Sequence, residues 1–240
     1  MRLSVLIPVY NESRYIKRVV EAVLRQDVRG IRSKEIVIVD DGSNDGSSDL
    51  LRDLAKQFPQ QIVLISHGKN LGKGEAIRSA AKKMTGDICI IQDADFEYDP
   101  KDYSAVLDPI IAGRADCVFG SRFSELHSKK VLYYWHYVGN RLLTTLSNMF
   151  TNLKLTDISA SYKAFRCEIL KDIPIRSADF SFEAEVIAKV ARRKCRVYEV
   201  SVNYSGRTYA EGKKNHWISG AKTAGVILKY GFINDSHHSQ

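Results

Sequence analysis

The feature that most constrains how this chain can fold is an alternation. Short apolar runs, each ending in a polar or glycine-rich cluster, alternate four times with stretches of helical periodicity. Leu3–Pro8 reads as a buried strand closed by its proline. Apolar residues at Ile16, Val19, Val20, Val23 and Leu24 then repeat at helical spacing. Glu35–Val39 is a second strand running into Asp40-Asp41-Gly42-Ser43, and a helix from about Ser47 carries Leu50, Leu51 and Leu54 on one face. Ile62–Ser66 is a third strand, after which Gly72-Lys73-Gly74 opens a helix bearing Ala76, Ile77, Ala80, Ala81 and Met84. Asp87–Ile91 is the fourth strand. Such alternation predicts an α/β domain: a mostly parallel, Rossmann-like sheet flanked by helices, with right-handed crossovers. Ligands of these sheets bind at the C-terminal strand ends. Here those ends are Pro8–Glu12, Asp40–Ser43, Gly68–Gly74 and Asp93–Glu97.

The fourth end is the most distinctive. Cys89-Ile-Ile-Gln-Asp-Ala-Asp-Phe-Glu97 passes from an apolar run to acids at alternate positions. In an extended segment Asp93, Asp95 and Glu97 would point to one side. Mg2+ takes oxygen ligands, commonly one or two carboxylates plus substrate phosphates. A metal site and a solvated acidic loop both fit the spacing, and the position at a strand end favours the former.

Other motifs narrow the chemistry. Gly68–Gly74 resembles a phosphate loop, but its spacing is one residue short and no Ser or Thr follows the lysine. The first strand is not followed by Gly-x-Gly-x-x-Gly, which argues against a dinucleotide oxidoreductase, and Cys/His zinc spacing is absent. Asp40-Asp41 could accept from a base or ribose, or could cap a turn. Arg122, at the end of a strand from Cys117, and Arg207 and Lys213 in separate segments could neutralise a diphosphate or serve as surface charge. Asn140-Arg141 is open in the same way.

The net charge of +8 arises wholly in residues 101–240, which hold 21 basic and 13 acidic side chains. An anionic partner (nucleotide, lipid phosphate or membrane surface) and a merely basic surface both fit. No nucleic-acid partner is assigned, because neither a recognition helix nor an aromatic sheet motif is present. The four cysteines lack Cys-x-x-Cys spacing and read as free thiols of a reducing compartment. With no signal peptide and no apolar run of about 20 residues, the chain is expected to be cytoplasmic. Further on, the pattern predicts a helix from the Asp99-Pro100 cap to about Ala112, another over Phe182–Arg193 and a strand over Arg196–Val202. The aromatic-rich Val131–Phe150 stretch and the amphipathic Trp217–Ile233 stretch either lie in a membrane interface or pack as ordinary helices. Residues 1–215 are expected to form a single domain, with an amphipathic helix and polar tail over 216–240.

Four segments, Val5–Glu12, Ile36–Ser43, Asn70–Gly74 and Gln92–Phe96, occur in order at the spacing of one family. The chain resembles the family 2 glycosyltransferases of the GT-A fold. Gly120-Ser-Arg122, Thr156–Lys163 and Gly206–Lys213 resemble the polyprenyl-phosphate branch that includes dolichol-phosphate mannose synthase. The resemblance covers residues 2–218. It implies inverting, metal-dependent transfer of a hexose from a nucleotide sugar, of GDP-mannose or UDP-glucose type, to a polyprenyl or dolichyl phosphate.

By that resemblance Pro8, Tyr10, Glu12, Val39 and Asp41 would contact the donor base and ribose. Asp93 and Asp95 would coordinate Mg2+ or Mn2+ and the donor diphosphate, with Ala94 against the nucleotide. Glu97 stands where the mannose synthases usually carry glutamine and could still offer the metal an oxygen. Arg122, Arg207 and Lys213 would bind phosphates, and Arg141 is a candidate for the acceptor phosphate. A phosphate acceptor needs no enzymic base. A saccharide hydroxyl would need one, and Asp157, Glu183 and Glu185 are the second-half candidates, with Glu183 reading as a helix cap or surface charge. A transferase to a saccharide hydroxyl and a nucleotide-sugar-binding subunit without turnover are the competing readings. Many relatives continue into transmembrane helices, so peripheral attachment or a membrane-anchored partner subunit would give access to the lipid.

Overall fold

The computed structural model describes residues 1–123, 133–206 and 217–232. Its first half follows the predicted alternation: β1 (Arg2–Val9), α1 (Ile16–Arg25), β2 (Ser33–Asp40), α2 (Ser47–Gln57), β3 (Ile62–Ser66), α3 (Lys73–Lys83) and β4 (Ile88–Ile91). A 3-10 turn, Pro100–Asp102, then leads into α4 (Tyr103–Ile111) and β5 (Cys117–Ser121). Asp99 caps that turn, its carboxylate accepting from the Lys101 N–H at 3.0 Å, with Pro100 in the first position as expected. The remainder is α5 (Tyr134–Thr151), β6 (Lys163–Arg166), α6 (Cys167–Asp172), α7 (Phe182–Arg192), β7 (Val197–Ser201) and α8 (Trp217–Phe232).

The strands form one seven-stranded sheet in the order β3-β2-β1-β4-β6-β5-β7. β3, β2, β1 and β4 are mutually parallel, and β7 runs parallel to β5. β6 runs against both of its neighbours. The mostly parallel α/β sheet is therefore as predicted, while β6 and α6 are additions. Lys163-Ala-Phe-Arg166 is four residues long and opens on a charge, so no periodicity marks it as a strand.

Both faces of the sheet are covered, which is why β1 and β2 read as nearly continuous apolar runs. Val5, Ile7, Ile36, Ile38 and Ile90 pack on one face with Ile16, Val19, Leu51 and Val106. Leu6, Val37, Val39, Cys89 and Ile91 pack on the other with Ile77, Ala80, Phe182 and Val186. Each fully buried Val, Leu, Ile or Phe among them contributes about 1.5–3 kcal/mol relative to exposure. β1 to β5 and β7 all end on one edge, and β6 begins there, since Lys163 is opposite Phe119 and Ser201 is opposite Ser121. α8 packs against α5 and α7. Among the described residues no helix is long and apolar enough to cross a membrane.

Candidate active site

A cavity of about 1140 Å3 opens along that edge. Pro8, Tyr10 and Glu12 line it from the end of β1, with Asp41 from β2, Gly72 and Lys73 from the start of α3, Asp93 to Asp95 and Glu97 after β4, and Arg122 after β5. Most of the predicted donor and acceptor residues thus meet in one space. Two do not. The Val39 side chain is wholly buried against the α3 layer and is absent from the cavity wall. Arg141 is exposed on α5, and it is its neighbours Asn140 and Leu142 that line the cavity. Arg207 and Lys213 lie outside the described residues.

The two readings of Asp40-Asp41 divide between the residues. Asp40 closes its own turn, accepting from the Ser43 N–H at 3.0 Å and from the Ser48 hydroxyl. Asp41 faces the cavity but also braces the loop that follows β3. It accepts from the N–H groups of Leu71 at 3.0 Å and Gly72 at 2.8 Å, and its Oδ1 meets His67 Nδ1 at 2.7 Å. Gly72 has φ +99°, and a Cβ there would strike the Ala178 carbonyl, so that position requires glycine.

The Asp93–Glu97 trio does not converge as its spacing predicts. β4 ends at Ile91 and the chain turns, with Phe96 at φ +61°, so alternate side chains no longer share a side. Asp93 Oδ1 pairs with Lys73 Nζ at 2.7 Å, Asp95 Oδ1 accepts from the Glu97 N–H at 3.1 Å, and Glu97 Oε2 accepts from the Tyr204 hydroxyl at 2.8 Å. Among the described residues no group of three or more His, Cys, Asp or Glu side chains is gathered to hold a metal. With Glu97 engaged by Tyr204, the trio leaves a two-carboxylate set on the cavity wall, Asp93 and Asp95. That set fits a hard divalent cation whose remaining ligands come from phosphate and water.

Arg122 is held rigidly. Its Nε and Nη2 donate to the two oxygens of Asp157 at 2.7 and 2.8 Å, and its backbone N–H adds a third bond to Asp157 Oδ2 at 3.1 Å. Asn140 donates to the same carboxylate at 2.9 Å. Glu199 fixes that segment, accepting from the Thr156 N–H at 2.8 Å and the Asp157 N–H at 3.3 Å. Burial opposes both charges of the pair, but each partner outweighs it, so Asp157 is held below the usual carboxylate range and Arg122 above its own. The Tyr204 ring lies 5.1 Å from the guanidinium.

Sequence reasoning passed over Lys73, because the loop carrying it failed as a phosphate loop. It sits on the cavity wall, 2.7 Å from Asp93 and 3.2 Å from Glu183. Burial disfavours its charge, yet Asp93 and Glu183 more than offset that and raise its pKa above the ordinary lysine value. Its place at the first turn of α3, directly after Gly72, was the available signal. Glu183, expected as a cap or surface charge, also lines the cavity. Glu185 is instead fully buried, accepting from the N–H groups of Arg176 and Ser177 at 2.8 and 2.6 Å and pairing with Lys189 at 2.5 Å. At the mouth, Tyr133, Trp135, His136 and Tyr137 of the α5 region form one wall. Tyr134 and Trp135 are 68% and 67% exposed.

A sequence model described as Glycosyl transferase family 2 matches residues 4–174. The chain belongs to this family. As a family 2 glycosyltransferase it is an enzyme of sugar transfer, and the match runs from β1 to just past α6. Glu183 and Tyr204 therefore come from chain beyond the matched region.

Among curated proteins it is 26% identical over 234 residues to the polyprenol monophosphomannose synthase of Mycolicibacterium smegmatis, covering 95% of this chain and 85% of that one. It is 27% identical over 239 residues to the undecaprenyl-phosphate mannosyltransferase of Micrococcus luteus, covering 94% and 93%. Among solved structures, the glucosyl-3-phosphoglycerate synthase of Mycobacterium tuberculosis, in complex with Mn2+, UDP and phosphoglyceric acid, superposes with a TM-score of 0.71. That likeness covers 98% of this chain and 80% of the other at 18% identity, and it shows a shared fold.

Proposed function

We propose that this glycosyltransferase moves a hexose from a nucleotide sugar to a polyprenyl phosphate, with inversion at the anomeric carbon and with Mg2+ or Mn2+. The observation that carries this reading is the state of the second-half carboxylates around the cavity. Asp157 is clamped by Arg122, Asp179 pairs with Lys222 at 3.3 Å, and Glu183 lies between Lys73 and Lys163. A hydroxyl acceptor would need a general base within reach. A carboxylate already neutralised by a cation is a poor one. A phosphate monoester, with a second pKa of about 6, arrives substantially anionic and needs none.

In this reading the acceptor phosphate oxygen bonds to the anomeric carbon as the bond from that carbon to the diphosphate breaks. The electron pair leaves with the nucleoside diphosphate. Pro8, Tyr10, Glu12 and Asp41 hold the nucleoside, and Ala94 packs against it. Asp93 and Asp95 would hold the metal, which when bound supplies Lewis-acid stabilisation of the diphosphate. Arg122, fixed by Asp157, presents a preorganised positive charge toward the leaving group. Arg207 and Lys213 are assigned further phosphate contacts by the family resemblance. The names of the mannosyltransferase relatives support a polyprenyl-phosphate acceptor. The aromatic wall at the mouth suits a prenyl chain delivered from a membrane surface, with the protein peripheral on its cytoplasmic face.

The test is incubation with a panel of labelled nucleotide sugars, a polyprenyl phosphate and Mg2+ or Mn2+. The expected result is an organic-soluble, EDTA-sensitive product with at least one donor. A product that stays in the aqueous phase and forms equally well without the lipid would assign a hydroxyl acceptor instead.

A further inference from the structure

Lys73 belongs to a file of alternating charges beneath the cavity. Its Nζ lies 2.7 Å from Asp93 Oδ1, 3.2 Å from Glu183 Oε1 and 3.0 Å from the Ser161 hydroxyl oxygen, with only 8% of the side chain exposed. The other Glu183 oxygen stands 3.6 Å from Lys163 Nζ. Lys163 is itself tied to the carbonyls of Ile158 and Ala160. Asp93, Lys73, Glu183 and Lys163 therefore balance to zero without any further ion. That balance bears on the carboxylate assigned to the metal. An ammonium and a divalent cation carry like charge, and both seek the same small set of Asp93 lone pairs.

We propose that the Lys73 ammonium is a built-in counter-cation that occupies Asp93 in the donor-free protein and yields it only when a nucleoside diphosphate arrives, making divalent-metal binding conditional on the diphosphate. The proposal rests on the reading above, in which Asp93 and Asp95 take a metal with the donor diphosphate. The lysine has three N–H donors. Two can remain on Glu183 and Ser161, so the lysine keeps its place on the cavity wall. The third, released from Asp93, regains an anionic acceptor when phosphate oxygens fill the space beside it. An anion entering the cavity thus both draws Lys73 off Asp93 and supplies the metal's missing ligands. By linkage, the metal must tighten the diphosphate by the same factor as the diphosphate tightens the metal.

The experiment is titration of the full chain with Mn2+, reading free Mn2+ by its paramagnetic resonance signal, first alone and then with UDP or GDP. The wild-type chain should bind Mn2+ weakly alone and about tenfold or more tightly with its preferred diphosphate. Lys73→Met removes the charge and keeps most of the stem. It should bind Mn2+ alone about tenfold more tightly than wild type, with the diphosphate enhancement largely lost. A folded Lys73→Met protein that binds Mn2+ alone no better than wild type would overturn the proposal, while a diphosphate-dependent wild type would leave the functional reading standing. No Mn2+ binding under any condition would overturn both. Nitrogen NMR of the lysine ammonium groups tests the wild-type protein without substitution. The Lys73 signal should stay put with Mg2+ alone and move when the diphosphate is added. Movement with Mg2+ alone would also overturn the proposal.

Discussion

Arg122 and Asp157 are joined by two parallel hydrogen bonds of 2.7 and 2.8 Å, and the Asp157 side chain is completely shielded from solvent. A pair so buried gains little over an apolar replacement, but breaking one side of it leaves an uncompensated charge. Asp157→Asn should therefore cost about 3–5 kcal/mol of stability, read as a lower urea midpoint at neutral pH. It should also release Arg122 from its fixed orientation and lower kcat. An unchanged midpoint would mean that the clamp is not under the tension of burial assigned to it.

The same pairs set the acid limit. Lys73 and Arg122 outweigh burial and hold Asp93 and Asp157 below the usual carboxylate range. On acidification the unfolded chain then takes up protons first. The stability these groups contribute is complete above their unfolded values, near 3.9, and is lost as pH falls through the lower folded values. Thermal midpoints should be level from about pH 8 to 5 and fall below about pH 4. Asp157→Asn should flatten part of that acid limb.

Gly72 carries both a left-handed φ of +99° and a close approach to the 178 backbone. Gly72→Ala should cost about 1–3 kcal/mol and displace the N–H that Asp41 accepts. The sensitive readout is the rise in melting temperature on adding UDP or GDP with Mg2+, which should shrink more than the basal melting temperature does.

Glu97 is turned to the Tyr204 hydroxyl. An amide oxygen can accept that bond equally well, so Glu97→Gln should leave stability within about 0.5 kcal/mol of wild type. Metal-dependent stabilisation by diphosphate should survive Glu97→Gln and be abolished in Asp95→Asn. Equal loss in both variants would make Glu97 a ligand after all.

The exposed Tyr134 and Trp135 at the start of α5 are suited to a headgroup interface. Replacing both with Ser should reduce flotation on anionic vesicles about tenfold while leaving the circular dichroism spectrum unchanged. Binding that persists in the double variant would place the docking face elsewhere.

The sheet's first half was legible because β1 to β4 obey a simple rule, with apolar runs buried on both faces and turn chemistry at each end. β6 was not legible, because Lys163 is buried only by virtue of Glu183, which arrives from α7, and of the carbonyls of Ile158 and Ala160 in the irregular chain just before the strand. The site divided in the same way. Pro8, Asp41 and Asp93 could be placed from strand ends alone. The side assignments of Glu97 and Lys73 depended on a turn at Phe96 and on partners 107 and 110 residues away, Tyr204 and Glu183. Spacing rules describe a strand as it continues, and here the strand had already stopped.

The reversal of β6 has a use in protein engineering. Since the strands meet the cavity edge as one beginning there and six ending there, the opposite edge carries short turns such as residues 59–61, all exposed. A reporter or affinity module spliced between Gln60 and Gln61 would hang from the far side of the sheet, with the whole thickness of the domain between it and the cavity. The cavity edge and the attachment edge of this enzyme are in that sense separate handles.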